Sequence, residues 1–581
     1  MSTRNLGRYL PILDWLPGYG RSALASDGMA GLIVAIMLVP QGMAYALLAG
    51  LPPEVGLYAS IVPLVFYGLL GSSRALAVGP VAIVSLMVAT TLGEITEAGS
   101  AGYLAGAVLL AFLSGAILLG MGLARLGFLV NFLSHPVISG FSSAAALVIG
   151  FAQLKHLLGF DIPRSHHITE TLAHAARHIG ELNQVTFTIA VTSLIILLLF
   201  KSRVALALKS FGVGAATADA VGKAGPLMAV LVTTLAVWFL GLDRSAGVAI
   251  VADIPAGLPP LTMPSLDLAL VQQLLPAAAL IAMVGFLESV SVAKSLASKR
   301  RQKIDANQEL IALGAANIGA SMTGGYPVTG GFSRSLVNFT AGAVTPMASI
   351  ITAALIAVTV LLLTPLLYFL PKATLAAIIV VAVANLIDLK TLREAWVYNK
   401  ADAASLVATF VAVLSIGVEL GIVFGAALSI ALYLWRTSRP HMAEVGRVGQ
   451  TEHFRNVLRH EVQTDPKVLM VRVDESLYFA NTAYLEDQLL ARVADHPEID
   501  HLVLIMSAVN FIDASALETL ETLADRLHDA RVTLHFAEVK GPVMDGLERV
   551  AFINRLGNGR VFLSTHEAMR ELTSAPRVQV A

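Results

Sequence analysis

Up to about residue 440, the chain is a succession of apolar runs, many of them long enough to cross a bilayer core of roughly 30 Å. Backbone polar groups in lipid must be hydrogen-bonded internally, so such runs are expected to fold as helices. Only 14% of the residues are charged, against about a quarter in soluble proteins. We predict about fourteen segments, at 28–48, 55–71, 80–92, 102–123, 128–152, 184–201, 225–241, 272–297, 305–322, 331–343, 346–369, 372–387, 402–419 and 421–436.

The chain divides by composition into a short N-terminal segment at 1–27, a transmembrane domain at 28–440 and a charged domain at 450–581. Lys and Arg concentrate in the loops on the side of the N-terminus. This bias predicts a multi-pass protein of the cell membrane, the inner membrane in a bacterium, with the N-terminus and the C-terminal domain in the cytoplasm. No cleavable signal pattern precedes "YLPILDWLPGY", which we expect to lie at the interface with Trp15 at headgroup level.

Several classes of function are excluded by composition. The chain has no cysteine and a formal net charge of −1, which argues against disulfides, thiolate metal sites and a nucleic-acid partner. No metal-ligand cluster, phosphate loop or nucleophile–base pair is present. We therefore expect neither an enzyme nor a cofactor or metal.

Two short apolar segments are interrupted by glycine and proline, and they occupy matching positions in two halves of the chain. The first interruption is "ALAVGPVAIVS" (75–85), and the second is "GGYPVTGGFSRSLVN" (324–338). Each begins about 45 residues after the start of a long helix, which is "GLIVAIMLVPQGMAYALLAG" (31–50) or "ALIAMVGFLESVSVAKSLAS" (279–298). With seven segments per half, the halves enter the membrane in opposite directions. Paired breaks in an inverted repeat point to the binding site of a transporter.

Each break begins with a short extended piece and then starts a helix inside the membrane. Pro80 suits the first position of one helix, and Ser333 suits the N-cap of the other. A helix N-terminus presents free N–H groups and about half a positive charge, so two facing N-termini form an anion site. The alternative is that the glycines only allow close helix packing.

Arg334 and Glu288 are the two charged side chains that we expect to lie inside the membrane. Arg334 is expected to attract the anion, and the alternative is a scaffold role with a carboxylate or carbonyl groups. Glu288 is a candidate for cation coupling, because a buried carboxylate can take up a proton near neutral pH. The alternative is a structural ion pair with Arg334 or Lys294. Val292, one turn after Glu288, offers no oxygen ligand, which favours H⁺ over Na⁺.

Gln41 and Tyr45 share one face of the first helix, at positions i and i+4. They are candidates to line the pocket beside the breaks. The alternative is that they hold helices together, as polar residues in membrane helices often do.

At this point the sequence resembles a known family. The stretch "VPQGMAYALLAGLPPEVGLYASIVPLVFYGLLGSSRALAVGPVAIVS" is similar to the signature region of the sulfate permease (SulP) family of anion transporters, which includes animal sulfate/chloride/bicarbonate exchangers and prestin. "GGYPVTGGFSRSLVN" resembles the tenth transmembrane segment of that family, and the region from about 450 resembles its STAS domain.

The resemblance implies fourteen helices in a seven-plus-seven inverted repeat, a core domain that moves against a gate domain, and usually a homodimer. It implies an anion site between the third and tenth helices, formed here by Gln41, Tyr45, Val81, Ala82, Phe332, Ser333 and Arg334. Glu288 stands where some bacterial members carry a carboxylate linked to cation coupling. Val292 departs from the hydroxyl residue of the sodium-dependent members.

The C-terminal domain alternates strand-like and helical runs, which predicts a small α/β sheet domain. In soluble STAS proteins, a serine that directly follows an Asp at the start of a helix is phosphorylated by a partner kinase. The stretch "FIDASALETL" has Ala514 in that place. We expect an assembly or interaction module with a cytoplasmic partner, in which Asp513 caps a helix.

The predicted function is secondary active transport of a small inorganic oxyanion, sulfate first, by alternating access and with proton coupling. Bicarbonate or a C4-dicarboxylate is the alternative substrate, with H⁺ or Na⁺ coupling or exchange. A nucleobase/proton symporter of similar fold and an anion channel are further alternatives.

Overall fold

The computed structural model describes residues 10–132, 134–163, 168–214, 218, 221–573 and 577–579. Of the predicted N-terminal segment, residues 1–9 lie outside this described part. The described chain separates into two compact units, 1–429 and 430–581.

The first unit is helical, and its long apolar helices confirm the predicted membrane fold. Among the described residues, eight helices are long and apolar enough to cross a bilayer, counting the turns that continue some of them. Its first half contains α1 (Arg21–Leu48), α2 (Pro53–Leu70), β1 (Val78–Gly79), α3 (Ala82–Gly93), α4 (Ala101–Leu123), α5 (His135–Ala152), α6 (Gln184–Leu199) and α7 (Gly225–Leu240). Its second half contains α8 (Leu268–Lys299), α9 (Ala306–Met322), β2 (Thr329–Gly330), α10 (Phe332–Thr340), α11 (Met347–Val358), α12 (Lys372–Ala384), α13 (Lys400–Ile416) and α14 (Val418–Thr437).

The two halves repeat the same order of elements within the described chain. In each half, a two-residue strand precedes the third helix, and that helix is too short to span the bilayer alone: α3 has 12 residues and α10 has 9. Because β1 and β2 pair antiparallel, these corresponding elements run in opposite directions, as an inverted repeat requires.

The helices form two packing groups. In the first group, α9 packs against α4 and α2, and α11 packs against α1. In the second group, α13 packs against α5, and α6 packs against α12 and α7. The group of α1–α4 with α8–α11 corresponds to the expected core, and α5–α7 with α12–α14 to the expected gate.

The start of the first helix differs from expectation. Helix α1 begins at Arg21 rather than near residue 28, because polar residues such as Asp27 are accommodated by partners elsewhere in the fold. Trp15, expected at headgroup level, is buried in a short helix at Ile12–Trp15.

The second unit contains the predicted α/β domain, built on a sheet of order β10-β5-β3-β6-β7-β8-β9, with β4 paired to β3. Strands β6 to β9 are parallel, and β3 pairs antiparallel with β6. The elements are β3 (Met442–Arg447), β4 (Phe454–Asn456), β5 (Val462–Thr464), β6 (Val468–Val473), α15 (Thr482–Asp495), β7 (His501–Ile505), α16 (Ala514–Asp529), β8 (Thr533–Ala537), α17 (Gly541–Arg549), β9 (Val561–Phe562), α18 (Thr565–Leu572) and β10 (Arg577–Gln579). Strand β3 thus precedes residue 450, where composition alone placed the start of the domain.

Asp513 lies at the N-cap of α16. One carboxylate oxygen accepts the N–H of Ala516 at 2.8 Å, and the other accepts the N–H of Phe479 at 2.9 Å. This is the capping arrangement expected from the sequence.

Candidate functional site

The two breaks in the apolar sequence meet in space. Strands β1 and β2 form a two-stranded antiparallel ribbon in which Val78 pairs with Gly330, and Gly79 pairs with Thr329. The N–H of Gly331 extends the ribbon by donating to the carbonyl of Ala77 at 3.2 Å. About 250 residues of chain separate the two strands, so only tertiary folding brings them together.

The outer edges of this ribbon are hydrogen-bonded to buried side chains, as irregular backbone at membrane depth requires. The carboxamide of Asn317 accepts the N–H of Val328 and donates to its carbonyl, both at 2.9 Å. Ser289 accepts the N–H of Gly330 at 2.8 Å. On the β1 side, Ser335 accepts the N–H of Ala77 at 2.9 Å, and Asn338 donates to the carbonyl of Ala75 at 3.1 Å.

Sequence reasoning missed these four polar side chains. Asn317, Ser289, Ser335 and Asn338 are all buried. Each stands in an apolar segment, where a single Ser or Asn is also typical of ordinary helix contacts. Their shared role is visible only once the ribbon exists.

The N-termini of α3 and α10 lie next to each other. Val81 is the N-cap of α3 and Gly331 the N-cap of α10, and neither helix has a side-chain cap. A Cβ atom on Gly331 would lie 3.2 Å from Cγ1 of Val81. The unpaired N–H groups of both first turns are therefore available at one place.

Two local expectations about these helix starts are wrong. Ser333 is not the N-cap of α10 but lies inside its first turn, since the helix begins one residue earlier, at Phe332. Pro80 is not the first residue of α3 but precedes its N-cap. The ribbon holds the backbone extended through Gly331 and Val81, which fixes where each helix can begin.

Arg334 joins the two breaks. Its side chain is only 2% exposed, and Nη1 donates to the carbonyl of Pro80 at 2.6 Å. Nε and Nη2 have no hydrogen-bond acceptor among the described residues. A Cβ on Gly79 or Gly331 would lie 3.3 or 3.2 Å from Nη2, so these glycines make room for the guanidinium.

The geometry of Arg334 shows the scaffold contact and leaves donors free for the other predicted role. The bond to Pro80 is a scaffold contact with a carbonyl group. The remaining N–H groups are buried donors without acceptors, which is costly unless a ligand supplies them. Gly79 has φ 147°, a backbone conformation that favours glycine.

Helix α1 supplies Gln41 and Tyr45 to the same region. Both side chains are buried, and α1 packs against α3 and α10. Tyr45 is close enough to Arg334 and Glu288 to interact with both electrostatically. No protein hydrogen bond to either polar group is present in the described chain.

The other residues that are predicted to contact the anion lie at the starts of α3 and α10. Ala82 begins α3 and is buried, Ser333 is half-buried, and Phe332 is 45% exposed.

Glu288 is half-buried on α8. Its Oε2 is buried without a hydrogen-bond partner among the described residues. No ion pair within 4 Å joins it to Arg334 or to Lys294 in the described chain, and Lys294 is exposed. The alternative of a structural ion pair is therefore not what the structure contains. Val292 is buried one turn further along the helix.

Glu288 and Arg334 were expected to be the only charges buried in the membrane unit, and this is wrong. Glu309 is 0% exposed and accepts four hydrogen bonds: three at Oε1, from Ser72 (N–H and hydroxyl) and Ser73 (N–H), and one at Oε2 from Tyr67. Asp27 is also fully buried and accepts from Val344 and Thr345. Both carboxylates are saturated by donors, which indicates a structural role.

A cavity of about 290 Å³ lies between the packing groups, at the C-terminal ends of α1, α3 and α5. Leu48 and Leu86 line it, one helical turn beyond Tyr45 and Ala82 respectively. Its polar lining residues are Thr90, Glu94, Gln153, Lys155, His156 and Thr171. Beside it, Glu419 of α14 accepts a hydrogen bond from Thr91 of α3 at 2.6 Å.

Comparison with known proteins places this chain among anion transporters. The model of the "Sulfate permease family" matches residues 24–409, and that of the "STAS domain" matches residues 459–568. The "Probable sulfate transporter 4.2" of Arabidopsis thaliana is 38% identical over 558 residues, covering 94% of this chain and 80% of the relative. The "High affinity sulfate transporter 2" of Stylosanthes hamata is 34% identical over 576 residues, covering 96% of this chain and 85% of the relative.

Solved structures agree in fold. The murine "Solute Carrier 26 family member A9" anion transporter, in the inward-facing state, has a TM-score of 0.88 and 25% identity, covering 98% of this chain and 95% of that one. The transmembrane domain of a cyanobacterium bicarbonate transporter, BicA, has a TM-score of 0.60 and 22% identity, covering 71% of this chain and 98% of that one. The resemblance seen in the sequence motifs is confirmed.

Proposed function

Because the chain belongs to the sulfate permease family, we propose that it is a secondary active transporter of a small inorganic oxyanion, with sulfate as the first candidate. The observation that carries this proposal is the adjacency of the α3 and α10 N-termini, with the guanidinium of Arg334 between them. Relatives over nearly the full chain are named as sulfate transporters. Bicarbonate is the second candidate, since the fold is also that of a bicarbonate transporter.

Electrostatics favours an anion at this place. Each helix N-terminus carries about half a positive charge, and Arg334 adds a full charge in a buried setting. Such charges interact more strongly than in water because the local dielectric constant is low. A tetrahedral oxyanion can accept from the free N–H groups of both first turns and from Nε and Nη2 of Arg334. Gln41 and Tyr45 supply further donors from α1.

Transport by alternating access requires the group that binds the anion to move against the other group. Helices α3 and α10 belong to the first packing group, whereas α5, α13 and α14 belong to the second. The cavity between these groups is lined by Leu48 and Leu86, one helical turn beyond Tyr45 and Ala82. The hydrogen bond from Thr91 to Glu419 is one contact that such a movement would break or remake.

Proton coupling is assigned to Glu288. Its Oε2 has no hydrogen-bond partner among the residues that the structure describes, and uptake of a proton by this carboxylate would offset part of the negative charge of the anion. Sodium is the less favoured coupling ion, because Val292 presents no oxygen one turn along the helix. We further propose that the chain is a homodimer and that the C-terminal domain faces the cytoplasm as an interaction module.

The test is uptake of radiolabelled sulfate by the full-length protein in proteoliposomes. A carrier gives saturable uptake, counterflow, and acceleration by an inward proton gradient. Linear, non-saturating flux without counterflow would indicate a channel instead. A panel of competing bicarbonate, C4-dicarboxylates and nucleobases ranks the substrates, and a sodium gradient imposed at constant pH tests the other coupling ion.

Glu288→Gln separates the coupling role from substrate binding. We expect this variant to lose stimulation by a proton gradient while it retains exchange of sulfate for sulfate. An unchanged response to the gradient would remove Glu288 from the mechanism.

A further inference from the structure

A chain of hydrogen bonds joins β2 to the face of α8 that carries Glu288. The N–H of Gly330 donates to Oγ of Ser289 at 2.8 Å. The hydroxyl groups of Ser289 and Thr329 lie 2.6 Å apart, and Thr329 donates to the carbonyl of Gly285 at 2.6 Å. Because Thr329 gives its one proton to Gly285, Ser289 must be the donor within the hydroxyl pair. Every proton in the chain is therefore assigned.

These hydrogen bonds, together with close packing, fix the position of β2 along α8. Gly285 lies four residues before Ser289 and three before Glu288, so all three share one face of α8. A Cβ on Gly285 would lie 3.0 Å from Oγ1 of Thr329, so a larger residue at this position would push the strand away from the helix. Ser289 and Thr329 are both buried. The strand is held against the helix backbone itself.

The same strand leads directly into the proposed anion site. Gly330 is followed by Gly331, the N-cap of α10. The charged and titratable groups that face Glu288 from neighbouring elements are Arg334 of α10 and Tyr45 of α1. A change of charge on Glu288 therefore acts on α8 beside these hydrogen bonds. Within the described chain, they are the only direct polar contacts between α8 and β2.

We propose that Ser289 and Thr329 are positioning residues that couple the protonation of Glu288 to the N-terminus of α10. This inference rests on the proposed function. When the charge of Glu288 changes, α8 and β2 respond as one body because the hydroxyl chain joins them. The N-terminus that binds the anion then moves together with the coupling carboxylate. Without the hydroxyl chain, the anion site still binds and exchanges its ligand, but it no longer follows the state of Glu288.

The experiment compares two activities of the full-length protein in proteoliposomes: sulfate uptake driven by a proton gradient, and sulfate–sulfate exchange at equal pH. Ser289→Ala and Thr329→Val each remove one hydroxyl from the chain. We expect each to lower gradient-driven uptake at least tenfold more than it lowers exchange. Thr329→Ser keeps the hydroxyl and should retain gradient-driven uptake. Ser114→Ala is the matched control, since Ser114 is another buried serine that donates to α8, at the carbonyl of Ala278.

A purely structural role predicts a different pattern. If both activities of Ser289→Ala and Thr329→Val fall by the same factor, or if Thr329→Ser is as defective as Thr329→Val, the inference is overturned. If Ser289→Ala does not give folded protein, the comparison of Thr329→Val with Thr329→Ser decides alone. Because Thr329→Val preserves shape, its elution profile and exchange rate report on folding directly.

The inference and the proposed function fail in different ways. Absence of gradient-driven uptake in the wild type would contradict proton coupling itself. Gradient-driven uptake that Glu288→Gln abolishes but Ser289→Ala leaves intact would contradict only the positioning role.

Discussion

Acidification from pH 7 to pH 4 is expected to destabilise the C-terminal domain through one buried histidine. His535 of β8 is 2% exposed. Its Nδ1 accepts the N–H of Arg560 at 3.1 Å, so Nε2 carries the proton and donates to Nδ1 of His501 on β7, also at 3.1 Å. The bond from Arg560 requires the neutral ring, because a protonated Nδ1 would point a donor at the Arg560 N–H.

Burial, followed by the charges of His501 and Arg560, lowers the pKa of His535 from 6.5 to about 4. The pKa of His501 is also lowered, chiefly by burial. Below pH 6.5, the unfolded chain binds a proton at position 535 that the folded domain excludes. The free energy of unfolding therefore falls as pH falls, by about 1.4 kcal/mol per pH unit. The fall levels off near the folded pKa, for a total loss of about 3 kcal/mol.

Other titratable groups of the C-terminal domain change its free energy of unfolding in a different pH range. Hydrogen bonds from Arg472 and His441 outweigh burial and lower the pKa of Asp474 below its usual 3.8. A carboxylate with a lowered pKa stabilises the fold above its unfolded pKa, so its contribution is lost only below about pH 3.8. Between pH 6.5 and 4, the histidine pair is the expected source of the change.

Hydrogen exchange of the full-length protein in detergent, read by mass spectrometry on peptides from β7 and β8, measures this effect. After correction for the intrinsic pH dependence of exchange, protection should fall more than a hundredfold between pH 7 and pH 4. His535→Asn keeps an acceptor for Arg560 but does not titrate, so its protection should change much less. Equal acid sensitivity of wild type and His535→Asn would refute the reasoning.

Three further predictions concern the membrane unit. Glu309→Ala leaves four donors of Tyr67, Ser72 and Ser73 without their acceptor and should destabilise the protein by more than about 3 kcal/mol, whereas Tyr67→Phe removes one bond to the carboxylate and should cost about 1.5–3 kcal/mol. Thermal unfolding in detergent ranks the two, and equal melting shifts would contradict the network. Gly331→Ala places a methyl group 3.2 Å from Nη2 of Arg334 and should raise KM for sulfate uptake severalfold, while Gly120→Ala, where a Cβ meets nothing within 4 Å, should leave KM unchanged. Arg334→Lys keeps the charge but loses the planar donor fork, so KM should rise at least tenfold at unchanged expression; a wild-type KM would show that Arg334 is scaffold alone.

Much of the fold could be predicted because its signals are local. Apolar runs, Gly/Pro breaks and the strand–helix alternation after residue 440 are each legible within a window of about 20 residues. Element starts were less accurate, as α1, α10 and β3 demonstrate. The start of α10 depends on a pairing with β1 that no window around Gly331 contains.

The candidate site likewise contains residues that could be predicted from the sequence and residues that could not. Arg334 and Glu288 could be identified from sequence because a charge in an apolar run is rare. Ser289, Asn317 and Ser335 could not, because small polar residues are common in membrane helices and carry no sign of their partners. Glu309 was missed for a related reason: it stands near the start of its apolar run, where a carboxylate is also typical of a helix start facing water.

The sequence by itself determined that the chain spans a membrane, that two of its helices start within the bilayer, and that a positive charge accompanies one of these starts. Hydropathy and backbone freedom depend on residue type, so they are properties of each segment alone. Only the tertiary structure decided that the two starts adjoin, that Arg334 binds Pro80, and that hydroxyl groups join α8 to β2. Those contacts depend on directed hydrogen bonds between segments far apart in the chain, and their geometry exists only after the helices have packed.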